Sequence, residues 1–103
     1  MTNTVTFFSS IGPTLDGRIK PDVVAPGHNL VGARSSQKEE TEDEIVQADD
    51  QLFSARGTSM SAPVVAGLAS IIRQFLEEEI GMDFIKGSTI KGMIIASAHS
   101  KCV

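Results

Sequence analysis

Apolar and polar positions along the 103-residue chain change period twice. In the first third the apolar residues come in short runs cut by turn residues. Val5–Phe8 predicts a short strand, and Ser9-Ser10-Ile11-Gly12-Pro13 ends it. Asp16-Gly17 marks a turn. Val23-Val24-Ala25, between Pro21 and Pro26-Gly27, predicts an extended piece bounded by tight turns, and Asn29–Ala33 predicts another short strand around Leu30-Val31. From Ser59 the period becomes helical. Val65, Leu68, Ala69, Ile72, Leu76 and Ile80 follow steps of three and four and form one stripe over a helix from about Ser59 to Glu79, with Gly81 as its stop. Pro63 is expected in the first turn, where its missing N–H costs nothing. Glu77, Glu78 and Glu79 crowd the helix end that disfavours acids. A second helix is predicted with Ser88 as N-cap, and with Ile90, Met93, Ile94 and Ser97 on one face, widened by Ile95 and Ala98.

Between the two regimes lies a segment of another kind. Residues 37–50 hold seven of the 13 acidic residues against Lys38 alone, so the segment carries −6 and the remainder +2 of a net charge of −4. It reads as an acidic surface insertion. It lacks the spaced oxygen ligands of a calcium loop. The negative balance argues against a nucleic-acid partner. With five Phe and no Trp or Tyr, the core must be aliphatic. Cys102 is alone, so neither an internal disulfide nor a cysteine metal cluster is expected, and no cofactor or metal is assigned. No unbroken run of 18 apolar residues occurs and the start has no signal-peptide pattern, so neither a membrane span nor a leader is expected in the chain.

The residues that carry chemistry are Gly57-Thr58-Ser59-Met60-Ser61-Ala62-Pro63-Val64-Val65-Ala66-Gly67. Here a serine stands between a glycine turn and the start of a helix, where backbone N–H groups lack intrahelical partners and the helix dipole is positive. An oxyanion beside Ser59 would be stabilised by both. Taken alone, Ser59 is an ordinary capping serine. The eleven-residue run closely resembles the nucleophile motif of the subtilisin-like serine proteases, peptidase S8. Two other blocks fit the same family: Phe8–Thr14 with Asp16–Gly27, which resembles the stretch before the catalytic serine, and Lys91–Ala98, which is similar to the helix after it.

The resemblance implies an α/β fold, namely part of a three-layer α/β/α domain with a mostly parallel sheet. Residues 1–103 would form the C-terminal portion of the catalytic domain, with the Ser59 helix running through its centre. It implies a serine endopeptidase acting through an acyl-enzyme. Ser59 would be nucleophile and backbone oxyanion donor, and Gly57, Thr58, Met60 and Pro63 would support it. The substrate would be a peptide or protein. The family's Asp, His and oxyanion Asn would lie in an upstream half, so the isolated chain is expected to be inactive. Calcium is possible in such a parent, which would be secreted or extracytoplasmic, but no ligand position maps here. His28 and His99 stand outside the family's histidine context and read as surface or turn residues, and Asp22 as a turn brace. The α/β-hydrolase elbow Gly-x-Ser-x-Gly fits poorly, because Ser61 stands at its fifth position. The alternative function is a non-catalytic truncated product or protein-binding module that uses the apolar faces a missing half would cover.

Overall fold

The computed structural model describes residues 4–34, the backbone of 45–46, and residues 52–99. Three short strands precede two helices: β1 (Leu30–Ala33), β2 (Ile45–Val46), β3 (Leu52–Ala55), α1 (Thr58–Glu78) and α2 (Gly87–Ser97). The acidic insertion, apart from Ile45–Val46, lies outside the described residues, as does Cys102.

β3 is the middle strand of a sheet ordered β1-β3-β2, and both pairings are antiparallel. Leu30 faces Ala55, Val31 faces Ser54, Gly32 faces Phe53 and Ala33 faces Leu52. On the other side Ile45 faces Ser54 and Val46 faces Phe53. Ser54, flanked on both sides, is the one buried polar residue among those described. The mostly parallel sheet is thus not among these strands. Parallel neighbours need a crossover of a dozen or more residues, usually a helix, and no helix separates β1 from β3 among the described residues.

The N-terminal apolar run does not become a strand. The Ser9 N–H donates to the Thr6 carbonyl at 3.0 Å and closes a turn, with Phe7 and Phe8 edge to face at 5.4 Å. Phe7 is 91% exposed, while Val5, Thr6 and Phe8 are half-buried. The turn at Asp16-Gly17 forms as expected, with the Gly17 N–H on the Thr14 carbonyl and the Thr14 N–H on the Arg18 carbonyl. The Pro21–Pro26 piece joins no strand.

α1 starts one residue earlier than expected and ends before Gly81. Pro63 is the sixth helical residue and lies beyond the first turn, as it would even in a helix opened by Ser59. Its missing N–H therefore leaves the Ser59 carbonyl without the usual donor four residues on. The apolar stripe is narrower than the sequence suggests. Val65, Ala69, Ile72 and Leu76 turn inward, while Leu68 and Ile80 are exposed. Leu76 (7% exposed) and Ile85 (8%) are the buried apolar side chains among the described residues. Of the acids at the helix end, Glu77 takes an ion pair from Arg73 at 2.9 Å, and Glu78 accepts from Gln74 at 3.1 Å.

α2 is capped by Lys86, not by Ser88. The Lys86 carbonyl accepts both the Thr89 and Ile90 N–H groups, so the helix nucleates ahead of Ser88, whose hydroxyl makes no cap bond. Ile90 and Ile94 are half-buried and share a groove with Val65 and Ala69 of α1, while Met93, Ser97 and Ala98 are exposed. α1 is also long and apolar enough, by length and composition, to cross a membrane, although its apolar residues do not form one unbroken run. A helix in a protein core can have the same length and composition.

Candidate functional site: the first turn of α1

Gly57 stands at the N-cap of α1 with φ 141° and ψ 165°, a conformation that disfavours any residue with a Cβ. It turns the chain out of β3, across Arg56, into the helix. Four N–H groups at a helix start lack intrahelical acceptors, and here their fates differ. The Gly57 N–H donates to the Gly27 carbonyl at 2.7 Å, and the Met60 N–H to the Gly57 carbonyl at 3.0 Å. The N–H groups of Thr58 and Ser59 meet no carbonyl among the described residues. Two adjacent donors therefore point out of the positive end of a 21-residue helix. Ser59 is exposed, and its hydroxyl has no hydrogen-bond partner among the described residues. Thr58 is exposed and Met60 half-buried beside it.

A second segment braces this turn. Ala25-Pro26-Gly27 runs alongside it, and the Ser61 hydroxyl donates to the Ala25 carbonyl at 3.0 Å. Gly27 comes so near that a Cβ there would lie 2.2 Å from Ser61 Oγ and 2.8 Å from the Gly57 carbonyl oxygen. Neither Ser61 nor Gly27 is distinguishable as a contact in the sequence, where 34 positions separate them; the one available signal is glycine after a proline in an otherwise apolar piece.

The braced segment is tethered in turn to α2. Asp22 pairs with Lys20 and, at 3.0 Å, with Lys91 of α2. These hydrogen bonds, first that of Lys20 and then that of Lys91, hold its carboxyl below the usual carboxylate range. Asp22 thus links its segment to α2 through Lys91. Val23, Val65, Ala69, Ile90 and Ile94 line an open apolar groove of about 380 Å³ beside this pair. His28 stacks on Phe8 at 6.2 Å, and His99 is exposed past the end of α2. No group of three metal-ligating side chains occurs among the described residues.

Comparison with known proteins fits this arrangement. A family model described as the subtilase family, peptidase S8, matches residues 1–102. The serine protease/ABC transporter B family protein tagD of Dictyostelium discoideum is 43% identical over 77 residues, which are 72% of this chain and 4% of that protein. The serine protease AprX of Bacillus subtilis is 41% identical over 73 residues, 70% of this chain and 16% of its own length. The C5a peptidase of Streptococcus pyogenes is 36% identical over 72 residues, 70% of this chain and 5% of the peptidase. The chain thus spans a small part of these relatives. No solved structure matches. The exposed serine at a glycine-capped helix start belongs to a segment that matches a whole-chain family model, and the chain is a member of the subtilase family, peptidase S8.

Proposed function

We propose that this chain supplies the nucleophile of a serine endopeptidase, Ser59, together with one oxyanion donor, its backbone N–H. The observation that supports this most is the pair of N–H groups at Thr58 and Ser59 with no acceptor among the described residues, beside an exposed hydroxyl. A hydroxyl is a poor nucleophile until a neighbouring base takes its proton. In this reading the base, its orienting Asp and a side-chain oxyanion donor come from an upstream half of the catalytic domain. That half would carry the mostly parallel sheet and cover α1. Ser59 Oγ then attacks the scissile carbonyl carbon and its proton passes to the base. The carbonyl oxygen becomes an oxyanion held by the Ser59 N–H. The amine leaves with the proton from the base, and water hydrolyses the acyl-enzyme. Gly57 sets the turn, Thr58 and Met60 flank the reacting atoms, and Pro63 frees the Ser59 carbonyl from the helix ladder. Peptides or proteins are the substrate class, and no cofactor is required.

A graft tests it. The matching segment of AprX is replaced by that of this chain, and peptidase turnover is measured. The graft is expected to be active, and Ser59→Ala to lower its turnover by about 10⁶-fold. A folded graft without activity, or a Ser59→Ala graft that retains it, would refute the assignment.

One observation favours a second reading, a non-catalytic binding module. Ile71 and Phe75 of α1 are 66% and 48% exposed, a face that calls for a partner. In the first reading that partner is the upstream half.

A further inference from the structure

We infer that Ser61 is a positioning residue: its hydroxyl, bonded to the Ala25 carbonyl, fixes the first turn of α1, and with it Ser59, against the Ala25–Gly27 segment. The inference rests on Ser59 being the nucleophile. Two cross-contacts bracket Ser59 symmetrically. Two residues before it, the Gly57 N–H reaches the Gly27 carbonyl at 2.7 Å. Two residues after it, the Ser61 hydroxyl reaches the Ala25 carbonyl at 3.0 Å.

The direction of the Ser61 hydroxyl carries information. A serine inside a helix commonly bonds back to the carbonyl four residues earlier. Ser70 in the same helix does so, to the Ala66 carbonyl at 3.2 Å. Ser61 instead reaches across to another segment, 36 positions away. The turn it serves is short of internal support, because Pro63 withholds a donor from the Ser59 carbonyl. A second feature is built around the same oxygen. A Cβ on Gly27 would lie 2.2 Å from Ser61 Oγ, so the segment comes this close only as glycine. Hydroxyl and glycine form one joint.

The joint is tested by amide hydrogen exchange in the 103-residue chain, with Ser61→Ala, Ser61→Thr, Gly27→Ala and the Gly27→Ala/Ser61→Ala double variant. In Ser61→Ala, exchange at the Gly57 amide should quicken about fivefold, the worth of one hydrogen bond, while amides around Arg73–Leu76 are unchanged. Ser61→Thr keeps the hydroxyl and should restore the rate. Gly27→Ala should open the joint further, and the double variant should fall short of the sum, because the oxygen that the new methyl strikes is gone. In the AprX graft, Ser61→Ala should lower kcat about tenfold at constant KM, since small misplacement of a nucleophile costs rate more than binding. An unprotected Gly57 amide in the parent chain, a Ser61→Thr variant no better than Ser61→Ala, or an unchanged kcat in Ser61→Ala would overturn the inference. A graft inactive with every residue in place would instead refute the nucleophile reading, and the exchange rates would still judge the joint.

Discussion

At the residue scale, the atom that matters beside Ser59 is the Met60 sulfur. Met60 follows the serine directly and is half-buried against the turn. Oxidation would add a polar oxygen next to the proposed nucleophile. Peroxide is therefore expected to lower turnover of the AprX graft several-fold, while a Met60→Leu graft, which has no sulfur there, keeps its rate. Equal loss in both would place the damage elsewhere. The nucleophile candidate, its glycine turn and its neighbours are legible in eleven contiguous residues, because a helix start is specified locally. The brace on that turn is not. Ser61 and Gly27 declare nothing about each other, since a contact between residues 34 apart is set by how the chain folds back rather than by local pattern.

At the element scale, the two helices announce themselves through their period, but their ends are less certain. Ser88 is a good cap by residue type, yet the Lys86 carbonyl collects two N–H groups and starts α2 earlier. Pro63 falls beyond the first turn because it stands five residues after Thr58, which opens α1. Val5–Phe8 has strand composition without a partner strand among the described residues, and a turn prevails. What holds α2 to the rest is partly electrostatic. The Asp22 carboxyl is depressed by its bonds to Lys20 and Lys91. For a group lowered on folding, the stabilisation is present above the unfolded value of about 3.9 and fades as pH falls through the folded one. Titration of the Asp22 carboxyl by NMR should give a midpoint below that of a free aspartate, moving up in Lys91→Ala. Because the pair is exposed, the accompanying fall in Tm in acid should be small. A midpoint at the ordinary value would remove the tether.

At the scale of the whole molecule, apolar surface outruns burial. Leu76 and Ile85 are buried, while Leu68, Ile71 and Phe75 on the same helix stay open. Such a face associates with whatever apolar surface it meets. The isolated chain should sediment as species heavier than a monomer, and Ile71→Glu with Phe75→Glu should shift it toward the monomer. A monodisperse parent chain at micromolar concentration would contradict this expectation. The α/β character was legible from the order of short strands and long helices. The direction of the strands was not, because period-2 patterning says which face is buried and nothing about which neighbour runs which way.

The antiparallel pairing has a consequence of its own. Leu30 meets Ala55 at the end of the ladder next to Gly27 and Gly57, and Ala33 meets Leu52 at the other. The connection that carries the acidic residues therefore departs from the end remote from Ser59, about 10 Å along the strands at the usual rise per residue. Chain closure there becomes only slowly more costly as residues are added. Residues added to this span, outside the β2 pairing with β3, would therefore lengthen the chain at the end remote from Ser59 and leave the contact between Gly27 and Gly57 in place.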